Sequence, residues 1–451
     1  MRSLLNKIVD VKPNEMRALG LAFLFNFVIL GSYYVIRPIR DDIAAAGSLE
    51  SLSWMFTGTL VAMLVANALF SAIVARMSRR KFIPIAYRFF MANLVLFYLL
   101  MRTAPPAQSI WIGRAFYIWV SVFNLFVVTL FWAFMTDVFN TEQAKRLFAL
   151  ISVGGSLGAI VGPIITVSLV RQLGAANLIL LTAALLELGP WCVKFFPTGF
   201  AGEHAPLDDR PRADQELTDA EVSQQTPAPS SAADAEKPIG GSIVSGISHV
   251  IQSPYLLGIC AFMLLHAVTS TLAYFQQADI TGHQFHDRAA RTAFFAQLDL
   301  SVNLITVVVQ LFLTGRLLKW FGVGWTLVLM PALSMAGFVA MGCVPMLTLL
   351  ALFQVMRRAA NFAVTRPARE VLFTVLRRED KYKAKSFIDT FVYRAGDQIG
   401  AWSYRGLHDI GLGMRGISFV ATPLALIWCG LSLWLGRKQV ALAKDRETSI
   451  A

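Results

Sequence analysis

Charge is scarce in this sequence. Only 15% of its residues are Asp, Glu, Lys or Arg, against 56% hydrophobic, whereas soluble domains carry roughly a quarter charged residues. A soluble chain of 451 residues would need more polar surface, and that class is excluded. Cysteine is rarer still: Cys192, Cys260, Cys343 and Cys429 lie scattered in or beside apolar runs, without disulfide or metal-site spacing. Neither the Gly-Lys-Ser/Thr phosphate loop nor His-Glu-x-x-His occurs, so nothing marks an enzyme or a primary pump. Short alternating segments are also missing, which excludes a transmembrane β-barrel.

Long apolar runs are what is present. About 20 apolar residues cross the roughly 30 Å of bilayer hydrocarbon, and the runs predict an all-α membrane protein. Its spans fall at about 17–40, 52–75, 82–102, 110–138, 144–171 and 175–197, then 254–280, 291–318, 323–344, 347–374, 383–406 and 415–436. The expectation is twelve transmembrane helices in two six-helix pseudo-repeats: a bundle over 1–197, a linker over 198–245 rich in Pro, Ala, Asp and Glu, and a bundle over 246–451. Such a linker cannot bury enough apolar surface to order itself. The first run is long and ends in charges, so it is an uncleaved span rather than a signal peptide. The formal net charge is +12, but its basic residues collect in alternate loops: Arg76 to Lys81, Lys145-Arg146, Arg377 to Lys385, and Arg437-Lys438. By the positive-inside rule these loops and both termini are cytoplasmic, and the charge is no sign of nucleic acid.

Charge inside the spans is the sharper signal, because hydrocarbon penalises each charged residue by about 3 kcal/mol on insertion scales. The first span closes on Arg37-Pro38-Ile39-Arg40-Asp41-Asp42, echoed late in the chain by Arg366-Pro367-Ala368-Arg369-Glu370; one such segment in each half suggests duplication. Arg88, Arg114, Arg357, Arg358 and Arg394 add further embedded cations. Together they outnumber the embedded acids Asp137, Glu187, Asp299, Asp389 and Asp397. Surplus guanidinium in a wet cavity suits a small anionic solute, since it stays charged and grips phosphate or carboxylate with two parallel hydrogen bonds. Asp137, Asp299 and Asp397 are coupling or ion-pair candidates, with an arginine partner favoured for Asp299. Gly154, Gly158 and Gly162, and likewise Gly396 and Gly400, recur every four residues and predict close helix packing in lipid. His283-x-x-His286 with Asp279 and Asp287 is weak as a metal site, because no helical period fixes it. Neither metal nor cofactor is expected.

The halves echo each other in order. Ser71-x-x-x-Ala75-Arg76-x-Ser78-Arg79-Arg80 and Gly315-x-x-x-Lys319-Trp320-x-Gly322 both resemble the Gly-x-x-x-Asp-Arg-x-Gly-Arg-Arg loop of the major facilitator superfamily, each without its Asp. Ala144-Lys145 with Gly155-x-x-Gly158 parallels Ala384-Lys385 with Gly396-x-x-x-Gly400. A narrower resemblance is to the nucleotide transporters (ATP/ADP translocases) of plastids and intracellular bacteria. Ile36-Arg37-Pro38-Ile39-Arg40-Asp41 is similar to that family's Leu-Arg-Asp-Thr-Lys-Asp. Phe131-Trp132-Ala133-Phe134, then Ala144-Lys145-Arg146-Leu147-Phe148 and Gly154-Gly155, are similar to its Phe-Trp-Gly-Phe, Ala-Lys-Arg-Phe-Tyr and glycine-rich helix. The resemblance implies a place in nucleotide recognition for Arg40. Pro38 replaces an aspartate, and Val120 stands near the position of the family's acid in span four.

The reading is a monomeric secondary carrier of the bacterial inner membrane, moving an anionic, phosphorylated or nucleotide solute by alternating access. Its expected substrate and translocation residues are Arg37, Arg40, Asp41, Arg88, Arg114, Arg357, Arg358, Arg366, Arg369, Glu370 and Arg394. Arg37 and Arg40 would serve the outer part, Arg366 and Arg369 the inner part. The alternatives are a proton-coupled carrier of another anion or lipid-like solute, and a non-transporting sensor or scaffold.

Overall fold

The structure, a computed structural model, describes residues 11–74, 79–197, 253–376, 384–385 and 387–448. The expected linker 198–245 lies outside them, as do Arg76, Arg377, Arg378, Lys381 and Lys383. The described chain is helical throughout, in the order α1 Met16–Ala46, α2 Leu49–Val74, α3 Arg79–Thr103, α4 Pro106–Val138, α5 Thr141–Lys194, α6 Pro254–Gln284, α7 Arg288–Phe312, α8 Thr314–Cys343, α9 Leu347–Leu372, α10 Tyr393–Asp409 and α11 Met414–Thr448. Ten of these are long and apolar enough to cross a membrane.

Two expected boundaries are drawn differently. Spans five and six form the one helix α5, broken only at Gly174, whose φ of 78° is a left-handed conformation that glycine tolerates. Span eight ends at Phe312, short of the expected 318. The residues after it open α8, which breaks again at Gly322 with φ 68°. Helix α10 has 17 residues and is preceded by a π-turn at Ile388–Val392.

Helices in lipid gain nothing from hydrophobic association with each other, so close backbone approach and interhelical hydrogen bonds decide the packing. The glycine stripe of α5 lies where it crosses α1. A Cβ at Gly158 would overlap the Phe27 carbonyl and stand 2.8 Å from Gly31 N; one at Gly162 would stand 2.6 Å from Gly31 O. Asn26 Nδ2 donates to Ile151 O and Thr166 Oγ1 to Val35 O along the same seam. The crossing of α10 and α6 repeats the device: Cβ atoms at Gly396 and Gly400 would lie 3.1 Å from Leu264 O and 3.0 Å from Val268 O. Gly154-Gly155-Ser156-Leu157-Gly158 also has hydrolase-elbow spacing, but it runs through unbroken helix and Ser156 Oγ bonds Ser152 O. A strand-turn-helix context is lacking.

Aromatic stacking fills the rest of the first half: Phe25 packs on Tyr87, Phe131 and Phe134, and Tyr87 Oη donates to Val127 O at 2.7 Å. A separate buried cluster spans the two halves, bringing Ala44, Leu52, Met55 and Tyr117 against Leu272, Phe275 and Tyr404. Because its neighbour at the seam is backbone, Gly158→Val forces α1 and α5 apart. Overpacking of this kind costs about 1–3 kcal/mol, expected as a lower thermal midpoint in detergent. Gly20→Ala, with nothing within 4 Å of the new methyl, should hold or raise the midpoint.

Candidate functional site

Among the described residues, the polar ties between the halves run from mid-height to one end of the helices. Asp42 on α1 takes Arg288 Nε at 3.1 Å and Arg291 Nε at 2.6 Å from α7. Nearby, Tyr274 Oη donates to Asp41, Thr57 Oγ1 to Gln398, and Arg405 pairs with Glu50. Asn303 Nδ2 bonds Ala159 O at mid-height. All these groups lie at mid-helix or toward the end where α1 stops and α2 begins. At the opposite end the described ties stay within one half, as in Arg146–Glu15 and Lys385–Glu370.

On the untied side of this closure lies a cavity of about 700 Å³. Seven arginines line it: Arg37 and Arg40 from α1, Arg357, Arg358, Arg366 and Arg369 from α9, and Arg394 from α10. Asp41, Glu370, Asp389 and Asp397 share the wall.

Local structure explains how α9 presents four arginines to one space. In a regular helix of 3.6 residues per turn, Arg366 would be rotated about 80° from Arg358. The π-turn Asn361–Thr365 holds one extra residue, which removes that offset. Arg366 then falls beneath Arg358, and Arg369 beneath Arg357. Pro367 sets the position of the turn, since it lacks an N–H and its ring crowds the carbonyl four residues back. That carbonyl, Ala363 O, is bonded instead by Thr314 Oγ1 at 2.7 Å, and the adjoining Phe362 O by Gln310 Nε2.

The arginines divide by partner. Asp299 on α7, 1% exposed, takes Arg37 at 3.3 Å and Arg358 at 2.5 Å. Arg369 pairs with Asp389 at 3.1 Å and Arg394 with Asp397 at 3.0 Å. No carboxylate of the described residues pairs with Arg40, Arg357 or Arg366. Arg40 bonds the Tyr117 hydroxyl at 3.0 Å and lies over its ring, leaving Nε buried and unbonded. Arg357 bonds Ser270 Oγ and Gln354 Oε1, and Arg366 sits over the Phe362 ring. An arrangement of this kind can hold a multiply charged anion without displacing any internal pair.

Two expected members lie elsewhere. Arg88 is 58% exposed and pairs with Glu187 at 3.1 Å on the outside of the first half. Arg114 lines a separate small cavity beside Asp42. Asp137 is exposed at the end of α4 and does not line the central cavity. The two Arg-Pro-x-Arg segments sit on α1 and α9, which run in opposite directions, so they are not copies made by a parallel duplication.

The cavity also has a wall that reading by charge overlooked. His266, Ser270, Tyr274 and Gln277 follow one another at helical spacing down α6 and line the space, as does Asn124 of α4. Their four- and three-residue intervals in an otherwise apolar helix were a usable signal. Asp299→Asn would strand Arg37 and Arg358. Losing one partner of a buried ionic set costs about 3–5 kcal/mol; the expected drop in thermal midpoint should be far larger than for Asp137→Asn.

Comparison with known proteins bears on the family and the fold. The sequence model of the Major Facilitator Superfamily matches residues 19–381. An "ADP,ATP carrier protein 1" of Chlamydia muridarum is 21% identical over 98% of this chain and 92% of its own length. An "ADP,ATP carrier protein 2" of Chlamydia pneumoniae is 21% identical over 74% and 67%. These similarities bear out the resemblance to nucleotide transporters. Among solved structures, a bacterial homologue of the human lysosomal transporter Spinster, inward-facing and unoccupied, aligns with a TM-score of 0.59 at 13% identity, covering 96% of this chain and 99% of that one. The E. coli xylose transporter XylE, inward open, aligns with 0.57 at 12%, covering 91% and 94%. With the family model spanning most of its length and the fold matching solved transporters, the chain belongs to the Major Facilitator Superfamily and is a multi-pass membrane transporter, not an enzyme.

Proposed function

We propose that the protein is a secondary carrier for a phosphorylated anion of the nucleotide class, working by alternating access between two six-helix bundles. The observation that carries this reading is the surplus of arginine in the central cavity, with Arg40, Arg357 and Arg366 free of any carboxylate partner among the described residues. The names of the chlamydial relatives support the nucleotide class.

Twelve spans result when α5 is divided at Gly174 and α10 is counted with the ten longer helices. The matching glycine crossings, α5 on α1 and α10 on α6, support two related bundles. By the positive-inside rule the basic loops put the untied end and both termini in the cytoplasm of a bacterial cell, with the closure facing outward. The carrier acts as a monomer around its single central cavity. Asp42 with Arg288 and Arg291, and Asp299 with Arg37, are then the ties that must part for the cavity to face the other side.

Binding is tested by thermal shift of the purified protein against nucleotides, other organic phosphates, carboxylates and lysolipids, since a ligand of the folded state raises the midpoint by mass action. Hits go on to exchange in liposomes, with and without a proton gradient. A charged hydrogen bond contributes about 1.5–3 kcal/mol. Arg40→Ala, Arg357→Ala and Arg366→Ala should therefore each weaken binding by about 10- to 100-fold. Unchanged uptake in Arg40→Ala and Arg366→Ala would overturn their assignment. A midpoint shift by another anion, with none from any nucleotide, would overturn the nucleotide class.

A further inference from the structure

Outside the central cavity, a second cationic space lies at the closed end. It measures about 210 Å³ and is walled by Arg114 of α4, Arg288 and Arg291 of α7, Ser109, and the apolar side chains of Met101 and Ile110. Asp42 is the one carboxylate in its lining. Each of Arg288 and Arg291 spends its Nε on Asp42, and Arg291 Nη1 bonds Phe285 O. Arg288, half exposed, bonds no other group among the described residues, so its two terminal nitrogens remain available. Arg114 pairs with no carboxylate among the described residues; its guanidinium lies 4.7 Å from the centre of the Trp111 ring. Three fixed guanidiniums against one carboxylate leave the space positive.

The position of the space identifies its occupant. Trp111 and Ile110 beside it are 68% and 59% exposed, on a helix that begins at Pro106. An exposed tryptophan within the first turns of a spanning helix marks the headgroup level of the bilayer. The other wall is apolar, with Met101 closing α3 and Met55 and Ile43 behind. A free inorganic anion would use the guanidiniums and leave that wall wet. A phospholipid uses both, its phosphate on the arginines and its glycerol and upper acyl chain against the methionines and isoleucines.

We infer that this space is a binding site for the phosphate of an anionic phospholipid in the leaflet at the closed end, with Arg114 as its principal contact. Arg288 and Arg291 add charge while holding Asp42. The site shares no residue with the central cavity, and it stands whether or not the transported solute is a nucleotide.

The test is native mass spectrometry of the full chain purified from nanodiscs of phosphatidylcholine mixed with phosphatidylglycerol. The wild type should keep phosphatidylglycerol in preference to phosphatidylcholine. Arg114→Gln should lose that preference by about tenfold, the effect of one charge-assisted contact, and Arg114→Lys should recover part of it. Arg102→Gln, a basic side chain of the same end that bonds only Tyr98 among the described residues, serves as the control and should keep it. Equal retention in wild type and Arg114→Gln overturns the site, as does an equal loss in Arg102→Gln. In phosphatidylcholine-only discs, an Arg114-dependent thermal shift from inorganic phosphate, without lipid selectivity, would overturn the lipid and assign a soluble anion instead.

Discussion

A single buried carboxylate holds the centre of this molecule. Asp299 binds Arg37 from the first half and Arg358 from the second, so one negative charge keeps two positive ones in place at membrane depth. Each arginine alone would cost about 3 kcal/mol in hydrocarbon on insertion scales. Sharing one acid leaves the group with a net positive charge and one carboxylate oxygen still unbonded. The pairing therefore tolerates charge without cancelling it, and it does so at a point where the two halves meet. Asp42 repeats the pattern nearer the closed end, where Arg288 and Arg291 share it. Both acids tie helix α7 to helix α1, Asp299 reaching α9 as well, and both are buried.

Packing makes such electrostatics possible by fixing where α1 and α6 stand. Each is gripped by a glycine-bearing helix, α5 or α10, and substituted methyls would meet backbone, or at the α10 crossing the Cβ of Ala267 or Thr271, rather than the far end of a flexible side chain. The rigidity has a functional meaning. Polar groups on α1 and α6 line the cavity; on the proposed reading, movement between the halves would come from parting the ties between them. The π-turn of α9 works in the same direction: Thr314 and Gln310 hold its carbonyls, and four arginines keep one register.

Much of this was legible in the sequence, and the failures have physical causes. Arg37-Pro38-Ile39-Arg40 announced itself because charge at the end of an apolar run has few harmless explanations. Seven of nine expected arginines line one cavity, since α9 and α1 concentrate them locally. Arg88 looked no different in sequence, yet its partner Glu187 lies 99 residues away on the lipid side of α3. Helical position alone could not reveal which face α3 turns outward. Arg288 fell just before the expected span 291–318 and Arg291 opened it, and neither was singled out, although both pair with Asp42 across the halves. The break at Gly174 was placed to within a residue or two, whereas the π-turn was invisible despite Pro367, because a proline announces a disturbed carbonyl and not how the chain will accommodate it. His266, Ser270, Tyr274 and Gln277 were missed by attending to charge instead of polarity along a single helical stripe.

The charge pattern also bears on how a carrier of this kind would cycle. On the proposed reading, closing the untied end would take Arg40 and Arg366 out of water and leave Arg357, already buried, without its remaining hydration. An isolated ion loses several kcal/mol on burial even after the protein relaxes, and no acid among the described residues stands ready to pair with them. Closure of the empty cavity would thus be opposed by three guanidiniums at once, while a polyanion seated among them would remove the penalty. On the proposed reading, binding and movement are linked through the same three side chains. On that reading the empty carrier would stay where it is and the loaded carrier would cross, which favours exchange of one anion for another.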